Sequence, residues 1–270
     1  MKNMKIYSLL FLSTFALNVM AQKEESTDTT RFTYKDKKIT ITIDKDSLSL
    51  AEKERASKYE DLNFWRGLEF GVNGYFTSTD FGINDDPDNI HMELNYGRSF
   101  MINLNIAEYN VGLIGEKFRF VTGLGFRFNR YAFKNTNQTL QFDDTSVFPT
   151  TSGDNISFEK NFLNVSYLSA PIYFSIVPGK DPENSFHLSV GALMNYRLGS
   201  RLKQVYTTND QKRKDINRGH YHINPFLLDA SVRIGVGEFV VFANYGLTTL
   251  FEKNKGPQYY PFSLGFSWAI

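Results

Sequence analysis

The chain has 270 residues, with 30 Lys and Arg against 29 Asp and Glu, 16% aromatic residues and no cysteine. That balance gives no electrostatic reason for a nucleic-acid partner, and zero cysteine excludes disulfides, thiolate metal sites and lipoprotein acylation. No apolar run reaches the roughly 18 residues that a membrane-spanning helix needs.

Residues 1–21 read as a secretory signal peptide. Lys2 and Lys5 precede the apolar stretch from Ile6 to Leu17, and Val19, Met20 and Ala21 form a small-residue cleavage site. Residues 22–64 are highly charged and lack Gly and Pro. Within them Ile39, Ile41 and Ile43 alternate with Thr40 and Thr42, which predicts a short strand after Phe32 and Tyr34. Ser49 and Glu52 have capping-box spacing, which predicts a helix through about Tyr59. These pieces cannot bury a core of their own, so the stretch reads as a short periplasmic N-terminal extension.

From Trp65 to Ile270 an alternation of large apolar and small or polar residues recurs, and it predicts eight strands. The first sets Leu68, Phe70 and Val72 against Glu69, Gly71 and Asn73. The second sets Phe100, Ile102, Leu104 and Ile106 against Met101, Asn103 and Asn105. The third sets Phe118, Phe120, Leu124, Phe126 and Phe128 against Arg119, Gly123, Gly125, Arg127 and Asn129. The fourth opposes Leu168, Ile172 and Phe174 to Ser169, Tyr173 and Ser175, and Pro171 there calls for a bulge or an irregular hydrogen bond. The fifth opposes Leu188, Val190 and Met194 to Ser189, Asn195 and Arg197. The sixth opposes Leu228, Val232 and Ile234 to Asp229, Ser231 and Arg233. The seventh, Phe239 to Leu250, is apolar on both faces. In the last, Phe262, Leu264, Phe266, Trp268 and Ile270 alternate with Ser263, Gly265, Ser267 and Ala269.

A period of two puts each set on its own face. Such an apolar terminal strand would be an aggregating edge unless the first strand closed against it. The large residues are too bulky for the lumen of an eight-stranded barrel and suit lipid, whereas the small and polar ones fit inside. Short turns follow strands two, four and six, and longer connections follow the others, two of them of about 20 residues at 134–157 and 200–219. The reading is an all-β, eight-stranded antiparallel up-and-down transmembrane β-barrel over residues 65–270. It would lie in the outer membrane with both termini periplasmic. Trp65, Tyr75, Tyr131, Tyr196, Tyr259, Tyr260 and Trp268 fall near strand ends and predict an aromatic girdle.

Several stretches resemble the PorT-like outer-membrane β-barrel proteins of Bacteroidota. They are Gly67-Leu-Glu-Phe-Gly-Val-Asn-Gly74, Thr122-Gly-Leu-Gly-Phe126 with Asn129-Arg-Tyr-Ala-Phe133, Tyr167-Leu-Ser-Ala-Pro-Ile-Tyr-Phe174, and the final strand. The resemblance implies an outer-membrane barrel in a family with some members tied to type IX protein secretion and gliding. It implies no catalytic residues.

Glu69, Arg119, Arg127, Arg197, Asp229 and Arg233 should all point inward, and charges in a narrow lumen need partners. They predict a structural charge network crossing the barrel. The four Arg outnumber the two acids, so some must use tyrosines, carbonyls or water. His220 and His222 share a face at the start of strand six but lack a third metal ligand. The acidic run Asn84, Asp85, Asp86, Asp88 and Asn89 lacks the glycine and final Glu of a calcium loop. No hydrolase, metalloprotease or P-loop pattern occurs, so a rim enzyme built from Ser200, Asp210, His220 and His222 has only their presence behind it. No cofactor, metal or catalytic residue is expected. The loop at 201–218 carries Arg201, Lys203, Lys212, Arg213, Lys214 and Arg218 against Asp210 and Asp215, a surface for lipopolysaccharide or another polyanion. Outer-membrane lipid and envelope proteins complete the expected partners. The function expected is a scaffold or interaction component linked to secretion, with a small pore and a rim enzyme as alternatives.

Overall fold

A computed structural model describes residues 28–34, 37–43, 62–77, 92–114, 117–151, 156–179, 185–208 and 210–269. The signal peptide, the helix expected up to Tyr59 and the acidic run at 84–89 lie outside the described residues. The chain divides into two units, Met1–Ser57 and Lys58–Ile270. In the first, β1 (Asp28–Tyr34) and β2 (Lys37–Ile43) form an antiparallel hairpin with Phe32 opposite Ile39 and Thr30 opposite Ile41.

The second unit is built on β3 (Gly67–Phe76), β4 (Phe100–Ile114), β5 (Phe118–Ala132), β8 (Phe158–Ile176), β9 (Phe186–Thr208), β11 (Phe226–Val236), β12 (Phe239–Gly246) and β13 (Tyr260–Ala269). These eight strands pair antiparallel in chain order, and β13 closes on β3 with Gly265 opposite Gly71 and Phe266 opposite Phe70. Closure leaves no apolar edge, which is how a strand as apolar as β13 stays paired. The seam needs both glycines. A Cβ on Gly265 would lie 2.1 Å from the Phe70 carbonyl oxygen, and one on Gly71 would lie 2.6 Å from that of Leu264.

Alternation sets the two faces. Along β5, Arg119, Val121, Arg127, Asn129 and Tyr131 are buried, while Leu124 and Phe128 are exposed. β12 resolves in the same way, with Val240, Phe242 and Asn244 inside and Phe239 and Val241 outside. The outer wall is therefore a belt of Phe, Leu, Ile and Val, with Trp268 67% exposed at its edge.

The ladder breaks where the sequence demands it. At Pro171 β8 keeps its register with β9 through Leu193, but its pairing with β5 lapses between Thr122–Ile172 and Gly125–Ser169. A residue without an N–H leaves one bond of the ladder unmade on the side its amide would face. Of four register shifts in the barrel ladders, two bear on the residues described below. One lies in β4 between Asn105 and Ala107, and the other in β9 between Arg197 and Gly199. Each extra residue inverts the facing of everything after it.

The two connections of about 20 residues are ordered as strands. Residues 134–157 contain a hairpin of β6 (Gln138–Phe142) and β7 (Val147–Thr151). The basic stretch is a hairpin too, in which β9 runs on to Thr208 and returns as β10 (Gln211–Arg218). The chain enters β3 and leaves β13 at the end of the barrel that holds the short turns.

Candidate functional site

The interior of the barrel is the chemically distinctive region. At mid-depth Arg127 on β5 reaches Asp229 on β11, with Nη1 2.5 Å from Oδ2. Arg127 Nη2 donates to Ser263 Oγ at 3.0 Å, and Asn195 Nδ2 donates to the same Asp229 oxygen at 3.1 Å. Ser169 Oγ then donates to Asn195 Oδ1 at 2.7 Å, so the network touches β5, β8, β9, β11 and β13.

Four residues along β11, about 13 Å at the usual strand rise, a second pair crosses the lumen. Arg233 Nη2 lies 2.7 Å from Glu69 Oε1 on β3, and both side chains are 1% exposed. This contact is an ion pair by distance without hydrogen-bond alignment. Asn103 Nδ2 holds the other Glu69 oxygen at 2.6 Å, and Arg233 Nε donates to the Phe64 carbonyl at 3.2 Å. The guanidinium lies over the rings of Tyr173 and Phe242, at 5.7 and 5.4 Å from their centroids. Arg127 and Arg233 are thus each matched by a buried carboxylate, which offsets the cost of burying their charges.

Arg119 and Arg197 stand apart from these pairs. Arg119 is buried and donates from Nε and Nη2 to Asn110 Oδ1 at 2.9 and 2.6 Å. Arg197 is half-buried at the long-loop rim, where its Nη1 donates to the His220 carbonyl at 2.6 Å. The wide rim leaves Arg197 within reach of solvent and backbone, so the inward parity of its strand does not draw it into the lumen.

The short-turn end is plugged by the residues just before β3. Leu62, Phe64 and Trp65 pack with Val121, Tyr173, Val177 and Leu193. Glu108 clamps this plug. Its carboxylate accepts the backbone N–H groups of Phe64 at 3.1 Å, Trp65 at 2.6 Å and Arg66 at 2.8 Å. Asn105 holds the Trp65 carbonyl at 2.7 Å and Asn110 that of Leu62 at 3.0 Å. Glu108 and Asn110 turn inward because of the β4 bulge, and simple alternation ending at Ile106 misses both. The sequence signal available was the loss of alternation at Ile106-Ala107.

The long-loop end is closed by an apolar cap. Met92, Leu94, Phe133, Leu140, Val147, Ile223, Leu250 and Phe251 pack over Tyr75, Tyr131, Tyr167 and Tyr259. Val147 N donates to the Lys255 carbonyl at 2.8 Å, which ties the β6–β7 hairpin to the last loop. Trp65, Tyr75, Tyr131 and Tyr259 therefore belong to the caps, and the girdle keeps Tyr196, Tyr260 and Trp268. Strand-end position cannot separate these two groups, since caps and girdle lie at the same depth.

His220 and His222 sit in a turn before β11, not on it, with ring centroids 4.5 Å apart. His222 Nε2 is 2.7 Å from the Asp143 carbonyl, and among the described residues no group of three metal-ligating side chains occurs. Ser200 Oγ donates to the Gly219 carbonyl at 2.5 Å, so neither partner it would need as a nucleophile is the one it meets.

A closed ring of eight antiparallel strands, apolar outside and polar inside, defines a transmembrane β-barrel. The chain belongs to the family described as outer membrane protein beta-barrel domain, whose profile matches residues 51–252. Neither curated proteins nor solved structures show a match to the chain.

Proposed function

We propose that this protein is a sealed, non-enzymatic outer-membrane barrel acting as a scaffold or interaction component of the cell envelope. Its termini and short turns face the periplasm, and its cap with the β6–β7 and β9–β10 hairpins faces outward. The PorT-like stretches of Bacteroidota type link this role to protein secretion. Its partners are membrane lipid along the apolar belt, envelope proteins, and lipopolysaccharide near the basic hairpin at 201–218.

The observation that supports this reading is the lumen itself. It is crossed by the Arg127–Asp229 and Arg233–Glu69 pairs and closed by an apolar cluster at each end. Eight strands leave an interior that side chains fill, so a general porin is disfavoured. The test has two parts. The mature chain should begin near Gln22 and sediment with the outer membrane, and reconstituted protein should show no steady conductance in planar bilayers. Recovery in the soluble periplasm would overturn the location. Stable single channels with ion selectivity altered by Glu69→Ala would replace the scaffold with a pore.

A further inference from the structure

Outside the lumen, one row of residues runs across five strands on the outer wall near the long-loop rim. Cross-strand register aligns Phe100 on β4, Arg130 on β5, Asn164 on β8, Arg201 on β9 and Arg218 on β10. The β9 bulge makes this row, because it turns Arg201 outward, where the β9–β10 register sets it beside Arg218. Arg130 is pre-set. Its guanidinium carbon lies 4.4 Å from the Phe100 ring centroid and 5.0 Å from that of Phe162, and its Nε donates to Asn164 Oδ1 at 3.3 Å. Among the described residues, no carboxylate forms an ion pair with Arg130, Arg201 or Arg218.

Directly below this row the apolar wall is hollowed. Two adjoining grooves share Phe128, Asn164, Ser166 and Arg201, and Arg218 lines one of them. Ser166 lines both and its cross-strand partner Gly199 lines one, and a Cβ added at Gly199 would meet nothing within 4 Å. Both residues of this pair are small and lie beside the guanidinium row, so the trough has room for an acyl chain next to the charges.

We infer that the Arg130–Arg201–Arg218 row and the Ser166–Gly199 trough form a specific site for a diphosphorylated glycolipid. The phosphates would sit on the three guanidiniums and one acyl chain in the trough. Arginine forks suit phosphate oxygens. From Arg130 to Arg218 the row crosses three strand spacings, roughly 14 Å, a span for two phosphates on a sugar head and too wide for one. The site rests on the outer-membrane reading, and it goes beyond a general attraction of the basic hairpin by recruiting Arg130 and Asn164 from the barrel wall.

The test uses the full mature chain, folded in detergent micelles, with native mass spectrometry and titration calorimetry. The probes are diphosphoryl lipid A, monophosphoryl lipid A and phosphatidylglycerol. Wild type should hold diphosphoryl lipid A most tightly. The triple variant R130Q/R201Q/R218Q should lose at least about tenfold in affinity, the order expected for losing charged hydrogen bonds. Gly199→Leu, which fills the trough and keeps every charge, should also weaken binding. The variant K212Q/R213Q, further along the hairpin, removes only general charge attraction and should lose clearly less affinity than the row variant. Equal losses in the row and the hairpin variants would mean diffuse charge attraction and overturn the site. Phosphatidylglycerol held as tightly as lipid A would overturn the choice of ligand. A wild type that inserts into vesicles but holds no lipid refutes this site alone, whereas one that fails to insert refutes the membrane reading with it.

Discussion

Glu69→Ala is the sharpest probe of the sealed lumen. The carboxylate is the only acidic partner of Arg233 among the described ion pairs, and both side chains are 1% exposed. Without Glu69, the guanidinium keeps the Phe64 carbonyl and two aromatic rings, none of which carries a full negative charge. Asn103 Nδ2 also loses its acceptor. Removing one member of a buried pair typically costs about 3–5 kcal/mol. The exposed Lys134–Glu93 contact is a fair control, with side chains 62% and 35% exposed, and breaking it should cost less than about 1 kcal/mol. Urea unfolding in lipid vesicles, followed by tryptophan fluorescence, measures both. The double variant Glu69→Gln with Arg233→Met should recover most of the loss, because it removes the orphaned charge together with its partner. A Glu69→Ala loss no larger than that of Glu93→Ala would refute the claim of a closed, charge-paired interior. So would a double variant as unstable as the single one.

Phe126→Arg, at mid-height on the lipid face of β5, should cost about 2–4 kcal/mol and impair insertion, read by heat-modified mobility on gels. Gly123→Phe should also fail, because even a Cβ there would lie 2.2 Å from the Ala107 carbonyl oxygen and 2.9 Å from the Trp65 ring. Normal folding of both would reverse the assignment of the two faces. Glu108→Ala should speed hydrogen exchange at the Phe64, Trp65 and Arg66 amides while leaving mid-strand amides protected, since three N–H groups lose one acceptor. The Asp143 carboxylate accepts from Thr145 Oγ1 and from the Ser146 and Thr145 amides, and these bonds hold its pKa down at about 2. A depressed pKa contributes stability above the unfolded value near 4 that is lost as pH falls toward 2. Amide NMR of the β6–β7 hairpin should therefore show it loosening between about pH 4 and 2, and Asp143→Asn should remove that dependence.

The amino-acid sequence by itself determined the membrane class and most of the wall. Period-two alternation is a local property, and a lipid-facing Phe opposite a lumen-facing Gly or Arg is legible in any single strand, as in β5 and β13. The break at Pro171 was equally legible, because a missing N–H is a property of one residue. What only the tertiary structure decided lies where the period fails or where distant segments meet. The β4 bulge turned Glu108 and Asn110 inward, and the β9 bulge turned Arg201 outward beside Arg218, and no count of alternating residues survives an inserted one. Trp65, Tyr75, Tyr131 and Tyr259 occupy the depth of a girdle, yet they became caps because the plug and the loops folded over them. Which arginine found which acid also waited for the closed ring. Arg127 with Asp229 and Arg233 with Glu69 are partners across the lumen, and only the curvature of eight closed strands brings those side chains within reach of each other.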